Sequence, residues 1–287
     1  MLPAIDWSRP WYRAVLDAVQ AARPDSISDA MPHIKPDAAG QLPADRHFRD
    51  AFSAHAAALG LRNHLDLPIR FVPQEALPDG TAYEAFIGAT GGVPTRDNLH
   101  DFFNALVWLS FPRIKVQLNA LQAAQIARDG VGKSRGPARD AATIFDENAA
   151  LLVVRDCAAG HALTAALRAH RWREAFVERR ASFGPDAQVW LFGHALMEKL
   201  VAPRKAITAH TRVVLAGDAF FTLAHSERRA WIDATVARQL AQHGLSTADF
   251  TPMQALGVPG WWPGQDEAFY GDTTVFRPPR TLVQSAQ

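Results

Sequence analysis

One stretch limits the fold more than any other. Residues 95–108 read TRDNLHDFFNALVW. At about 100° per residue on a helix, Leu99, Phe102, Phe103, Leu106 and Val107 fall on one side. Asp97, His100, Asp101, Asn104 and Trp108 fall on the other, each three or four residues from the next, so their side chains can meet. A solvated helix face carries long charged residues that favour helix. This one carries short polar groups beside Trp108, with Phe111 close by. Burying such groups demands a partner for every polar atom. The pattern predicts a helix over 97–110 covered by protein on both sides.

A chain of 287 residues is long enough to bury it. With 48% hydrophobic and 21% charged residues the composition is that of a globular protein. The net charge of +1 provides no global field for nucleic acid or an anionic membrane. Cys157 is the single cysteine, which excludes an intrachain disulfide and a Cys-rich zinc site and suits the cytosol. The opening MLPAIDWSRPW lacks the basic and apolar regions of a signal peptide, and no apolar run is long enough to span a bilayer. A cytoplasmic location without a membrane partner is expected.

Residues 10–22 read as a helix with Ala14, Val15, Ala18 and Val19 on one face, and 43–59 as another ended by Gly60. The Pro-rich 24–36 reads as a loop. IRFVPQEAL and TAYEAFIGAT flank Pro78-Asp79-Gly80, the pattern of a hairpin. AATIFDENAALLVV reads as a second, turning at Asp146–Ala149. Strands are expected at 188–192 and 207–215, and helices at 113–128, 159–181, 194–201 and 226–243. The result is a helix-rich α+β single domain, 1–287, with a small antiparallel or mixed sheet built from hairpins. Residues 1–40 are expected to be peripheral, and 252–287, rich in Pro, Gly and Trp, an extended cover.

Two readings of the polar helix face stay open. It is a buried hydrogen-bond network, with Asp97 as N-cap, or it is the wall of an active site centred on His100. Three other segments carry candidate chemistry. Asp146 and Glu147 are turn residues or metal ligands, and Arg139 is a candidate anion clamp. His194 and Glu198 stand four apart, a spacing that presents two ligands to one ion or makes a surface pair. The second histidine of a zincin motif is absent. Gly130-Val131-Gly132-Lys133-Ser134 ends like a phosphate loop, but Ala127 stands where that loop needs glycine and a helix precedes it, so triphosphate binding is rejected. Arg128, Lys133, Arg135 and Arg139, with Arg168, Arg171, Arg173, Arg179 and Arg180, form local basic segments that either pair with neighbouring Glu or contact phosphate or nucleic acid. Val258–Trp262 stacks a ring or is buried.

Several blocks carry a resemblance. Pro94–Trp108 with Phe111-Pro112, Arg139-Asp140 with Phe145–Asn148, Gly193–Leu196 with Glu198-Lys199, and Phe276–Arg280 resemble the signature blocks of a proteobacterial family. That family is catalogued as a domain of unknown function, number three thousand and twenty-five. The resemblance covers about residues 40 to 280 and implies a bacterial protein, with no assigned activity and no catalytic residues to carry over.

The leading expectation is a metal-dependent hydrolase acting on a phosphate ester or phosphodiester. His100 and Asp101 would serve as ligand or base, with Asn104 beside them and Arg139 as clamp. Asp97, His100, Asp146, Glu147, His194 and Glu198 are the candidate ligands of a divalent ion. A non-catalytic binding or structural protein, and a metal-free acid/base enzyme using His100 with Asp101 or Asp97, are the alternatives. One mononuclear site needs His100 and His194 well within about 10 Å, because ligands sit about 2 Å from the ion.

Overall fold

The computed structural model describes residues 4–21, 48–130 and 136–278. Its larger sheet is mixed, in the order β4 (Ala187–Leu191), β3 (Ala149–Arg155), β5 (Thr208–Ala216), β6 (Phe250–Gln254). The inner pair β3–β5 is parallel, with Ala149 opposite His210, and both outer pairs are antiparallel. A continuous apolar run suits a strand covered on both faces, and Ala149 through Val154 are fully buried. The smaller sheet pairs β1 (Arg70–Pro73) with β2 (Gly92–Thr95), in parallel. The α+β class holds.

Neither expected hairpin forms. Parallel strands need a crossover, and after the turn at Pro78–Gly80 the chain supplies one as α3 (Tyr83–Thr90). Its Tyr, Phe and Ile imitate a strand in sequence. Gly91 ends it at φ 70°, where a Cβ would stand 2.3 Å from the Pro68 carbonyl oxygen. The second segment is helix α6 (Gly136–Asn148), which runs straight into β3. Asp146 and Glu147 therefore occupy a last helical turn rather than a loop tip. Carboxylates are unfavourable there for the helix dipole, so local preference read a turn; tertiary partners hold the helix.

The helix expected at 159–181 is interrupted. α7 (Ala158–Arg168) stops, His170 takes φ 52°, and a π turn at Glu174–Glu178 and a 3-10 turn at Arg180–Ser182 follow. Residues 4–21 are not peripheral. A 3-10 turn at Pro10–Val15 leads into α1 (Leu16–Ala21), and Trp11, Tyr12, Val15 and Val19 are buried, as are Ala14 and Ala18. The loop read at 24–36 and the start of the helix read at 43–59 lie outside the described residues; within them that helix is α2 (Phe48–Ala58). The C-terminal cover begins as strand β6, an edge of the sheet, and then buries Trp261, Phe269, Tyr270 and Phe276.

The opening helix is α4 (Leu99–Ser110). Every residue in it except His100 is buried. It packs against α1, α2, β2, α5 (Pro112–Asp129) and α8 (His194–Lys199). Its N-cap is Asn98, whose side chain accepts from the Asp101 amide, and not Asp97. Two further helices, α9 (Asp218–Thr222) and α10 (His225–His243), follow β5. No described helix is long and apolar enough to cross a membrane.

Candidate metal centre

Three elements distant in sequence meet at one point: the first turn of α4, the last turn of α6 and the first residue of α8. Gly193 makes the meeting possible. A Cβ there would stand 2.5 Å from the Ala149 amide nitrogen and 2.6 Å from the Glu147 carbonyl oxygen. The Gly193 amide instead donates to the Ala149 carbonyl at 2.8 Å. His194, the next residue, is thereby held against the end of α6.

His100 Nε2 and His194 Nε2 are 3.0 Å apart, their rings nearly perpendicular at 77°. Glu147 Oε2 lies 3.6 Å from His194 Nε2, and Glu147 Oε1 lies 3.9 Å from His100 Nε2. These three side chains offer ligand atoms that all fall within 4.8 Å of one another. Two nitrogens 3.0 Å apart can each stand about 2.1 Å from a single ion. The side chains of His100 and Glu147 are each 32% exposed, whereas that of His194 is 4% exposed. The cluster is thus buried at its root and open at its mouth.

A carboxylate stands behind each imidazole. Glu198 Oε2 lies 3.0 Å from His100 Nδ1. Asp146 Oδ2 lies 3.8 Å from His194 Nδ1, and Asp146 Oδ1 accepts from the Lys115 ammonium at 2.5 Å. A carboxylate hydrogen-bonded to the far nitrogen, as Glu198 is to His100, orients a ligand histidine and fixes its tautomer; His194 Nδ1 has no such partner among the described residues. The electrostatics follow. The hydrogen bond to Glu198 raises the His100 pKa, and the nearby charge of Glu147 adds to it, against burial. Burial drives His194 down to about 3, helped by the charges of Lys115 and His100 against that of Asp146, so it is neutral, with its Nε2 in hydrogen-bond contact with His100 Nε2. Burial raises Glu147. Burial would also raise Asp146, but the charge and hydrogen bond of Lys115 hold it below the ordinary carboxylate value.

The other candidate residues lie elsewhere. Asp97 pairs with Arg49 at 2.7 Å. Asp101 turns away from the cluster, taking both guanidinium contacts and the backbone amide of Arg96. Asn104 joins a buried chain in which Lys115 donates to Asn104, and Asn104 donates to Tyr83. Glu198 serves His100, not His194 as the spacing of four suggested. Arg139 lies near the start of α6, about 10 Å of helix axis before Asp146, so the structure does not bring the expected anion clamp to the cluster. The arginines of 168–180 are largely engaged: Arg171 and Arg179 with Glu174, Arg173 with Glu178 and Glu267. Arg128 pairs with Asp129, and Lys133 and Arg135 lie outside the described residues.

Sequence reasoning missed Lys115. A signal was present: it shares the stripe Ile114, Leu118, Asn119, Gln122 of α5, all buried, at the spacing of one helix face.

No curated protein and no solved structure gives a match to the chain. A family model described as "Protein of unknown function (DUF3025)" matches residues 69–280, which contain every residue of the cluster. That match spans well over half of the chain, and the chain belongs to this family.

Proposed function

We propose that His100, His194 and Glu147 bind one divalent transition-metal ion and that the chain is a metal-dependent hydrolase. The observation that carries this reading is the convergence of two imidazole nitrogens and one carboxylate on a single point with a solvent-open side. Two histidines and a glutamate are a donor set of catalytic zinc sites, in which water takes the remaining position. A structural site would close all four positions with protein. Bound there, the ion supplies Lewis acidity to a carbonyl or phosphoryl oxygen and lowers the pKa of its water. Glu198, at 3.0 Å from Nδ1, orients the His100 imidazole.

The phosphate preference expected from Arg139 lacks its clamp, so the substrate class proposed is any ester or amide that the ion itself can polarise. Asp101 and Asn104 fit the structural alternative: both are buried and both have partners. One helix then carries a structural network and one ligand, His100, on neighbouring turns.

The test is zinc titration of the purified chain by calorimetry, with His194→Ala and Glu147→Gln beside it and circular dichroism as the folding control. One equivalent is expected, weakened about a hundredfold or more in each folded variant. Wild-type protein that takes up no metal, or variants that bind as well as wild type, would overturn the assignment. Hydrolysis of p-nitrophenyl acetate, p-nitrophenyl phosphate and its diester, with and without chelator, then decides activity and substrate class.

A further inference from the structure

A cavity of about 250 Å³ lies apart from the metal centre and shares no lining residue with it. Strand β4 supplies Trp190, the 3-10 turn before α1 supplies Trp11 and Arg13, α10 supplies His225 and Arg228, and the C-terminal segment supplies Trp261. Aromatic rings make up much of its wall. Trp11 and Trp261 stand 6.2 Å apart at 53°, and Trp190 stacks on His225 at 4.6 Å and 21°.

The charge of the lining is one-sided. It includes Arg13, Arg228 and His225, and no aspartate or glutamate. Arg228 is anchored through Nη2 to the Phe221 carbonyl, at 2.6 Å. Its Nε and His225 Nε2 are buried with no hydrogen-bond partner among the described residues. The field agrees: burial first, then the charges of Arg13, Arg229 and Arg228, push the His225 imidazole down, with Asp17 opposing.

We infer that this cavity binds a small single-ring aromatic carboxylate, its ring among Trp11, Trp190 and Trp261 and its anionic group toward Arg13 and Arg228. The volume limits the occupant to one ring, since pockets for larger ligands begin near 300 Å³. The tryptophan faces take a flat apolar body, and guanidinium groups in a lining without a carboxylate take the charge.

Calorimetric titration of the full chain with benzoate tests this. Benzyl alcohol serves as the ring without charge and acetate as the charge without ring. Benzoate is expected to bind saturably at one site and both half-ligands to bind at least about tenfold more weakly, since each lacks one of the two recognition elements. Arg228→Gln should weaken benzoate by about tenfold or more through loss of the charged hydrogen bonds. Trp190→Leu should do the same through the ring, and both variants should keep the zinc affinity of wild type. If Arg228→Gln does not fold, the exposed Arg13→Gln reads the same charge dependence. Absence of benzoate binding, binding no tighter than benzyl alcohol, or binding unchanged in the folded arginine and tryptophan variants would each overturn the proposal.

Discussion

Two imidazoles with their Nε2 atoms 3.0 Å apart sit in opposite electrostatic settings. His194 is neutral because burial forbids its charge, and His100 holds its proton more tightly because Glu198 accepts it. A metal ligand must be deprotonated. The proposed metal uptake should therefore expel a proton from His100 and none from His194. As pH falls through the raised pKa of His100, zinc affinity should fall by about tenfold per unit, one proton competing with one ion. Above that pKa it should level off. Glu198→Gln removes the charge that raises His100, so the fall should move to lower pH. Competition titration at a series of pH values reads both effects, and an affinity flat across the neutral range contradicts them. Lys115 poses a separate question. Its side chain is 5% exposed and its partner in Asp146 14%. Lys115→Met strands a buried carboxylate and should cost about 3–5 kcal/mol in denaturant unfolding. Adding Asp146→Asn should recover part of that loss, because the stranded group is then neutral. A loss below about 1 kcal/mol, the range of exposed pairs, would show that the pair is solvated.

At the scale of elements, the site is a junction. The end of α6, the start of β3 and the start of α8 close on each other over Gly193, whose missing Cβ is the clearance between them. Gly193→Ala should force them apart. The expected effect is an overpacking loss of about 1–3 kcal/mol, together with weaker zinc binding, because His194 moves relative to Glu147. Thermal unfolding and the same zinc titration measure the two. Unchanged zinc affinity in a destabilised variant would mean that the junction relaxes without moving the ligands. The junction also explains why the sequence read wrongly here. The segment Phe145–Asn148 has turn composition, and nothing local reveals that Lys115, thirty-one residues earlier, neutralises Asp146 within a helix. Lys115 itself was visible as a charge on an apolar stripe, and that clue is what sequence reading can recover in similar helices.

On the scale of the whole molecule, the buried core among the described residues reaches back to Ile5, far ahead of the family match at residue 69. Trp11 and Tyr12 pack into it, with Tyr12 stacked on Phe103 of α4 at 5.6 Å and donating to the Met197 carbonyl of α8. The N-terminal turn therefore braces both helices that carry the histidines. A chain truncated to begin at Phe48 should lose cooperative unfolding, since removing two buried aromatics at about 3–5 kcal/mol each approaches the total stability of a domain. A sharp transition with native near-ultraviolet dichroism in the truncated chain would show the segment to be dispensable.

The α+β class, the position of strands β4 and β5 and the double burial of α4 could be read directly from the chain, because periodicity and polarity are local properties that each residue carries with it. So could the candidacy of His100, Glu147 and His194 as ligand residue types. Which of the six acidic and imidazole candidates share a point was decided only by the fold. Ligand convergence depends on the register of α4, α6 and α8 across a separation of ninety-four positions, set by backbone contacts such as those around Gly193. The same long-range packing turned one arm of each apparent hairpin into a helix, α3 and α6, while the other arms became strands β1 and β3.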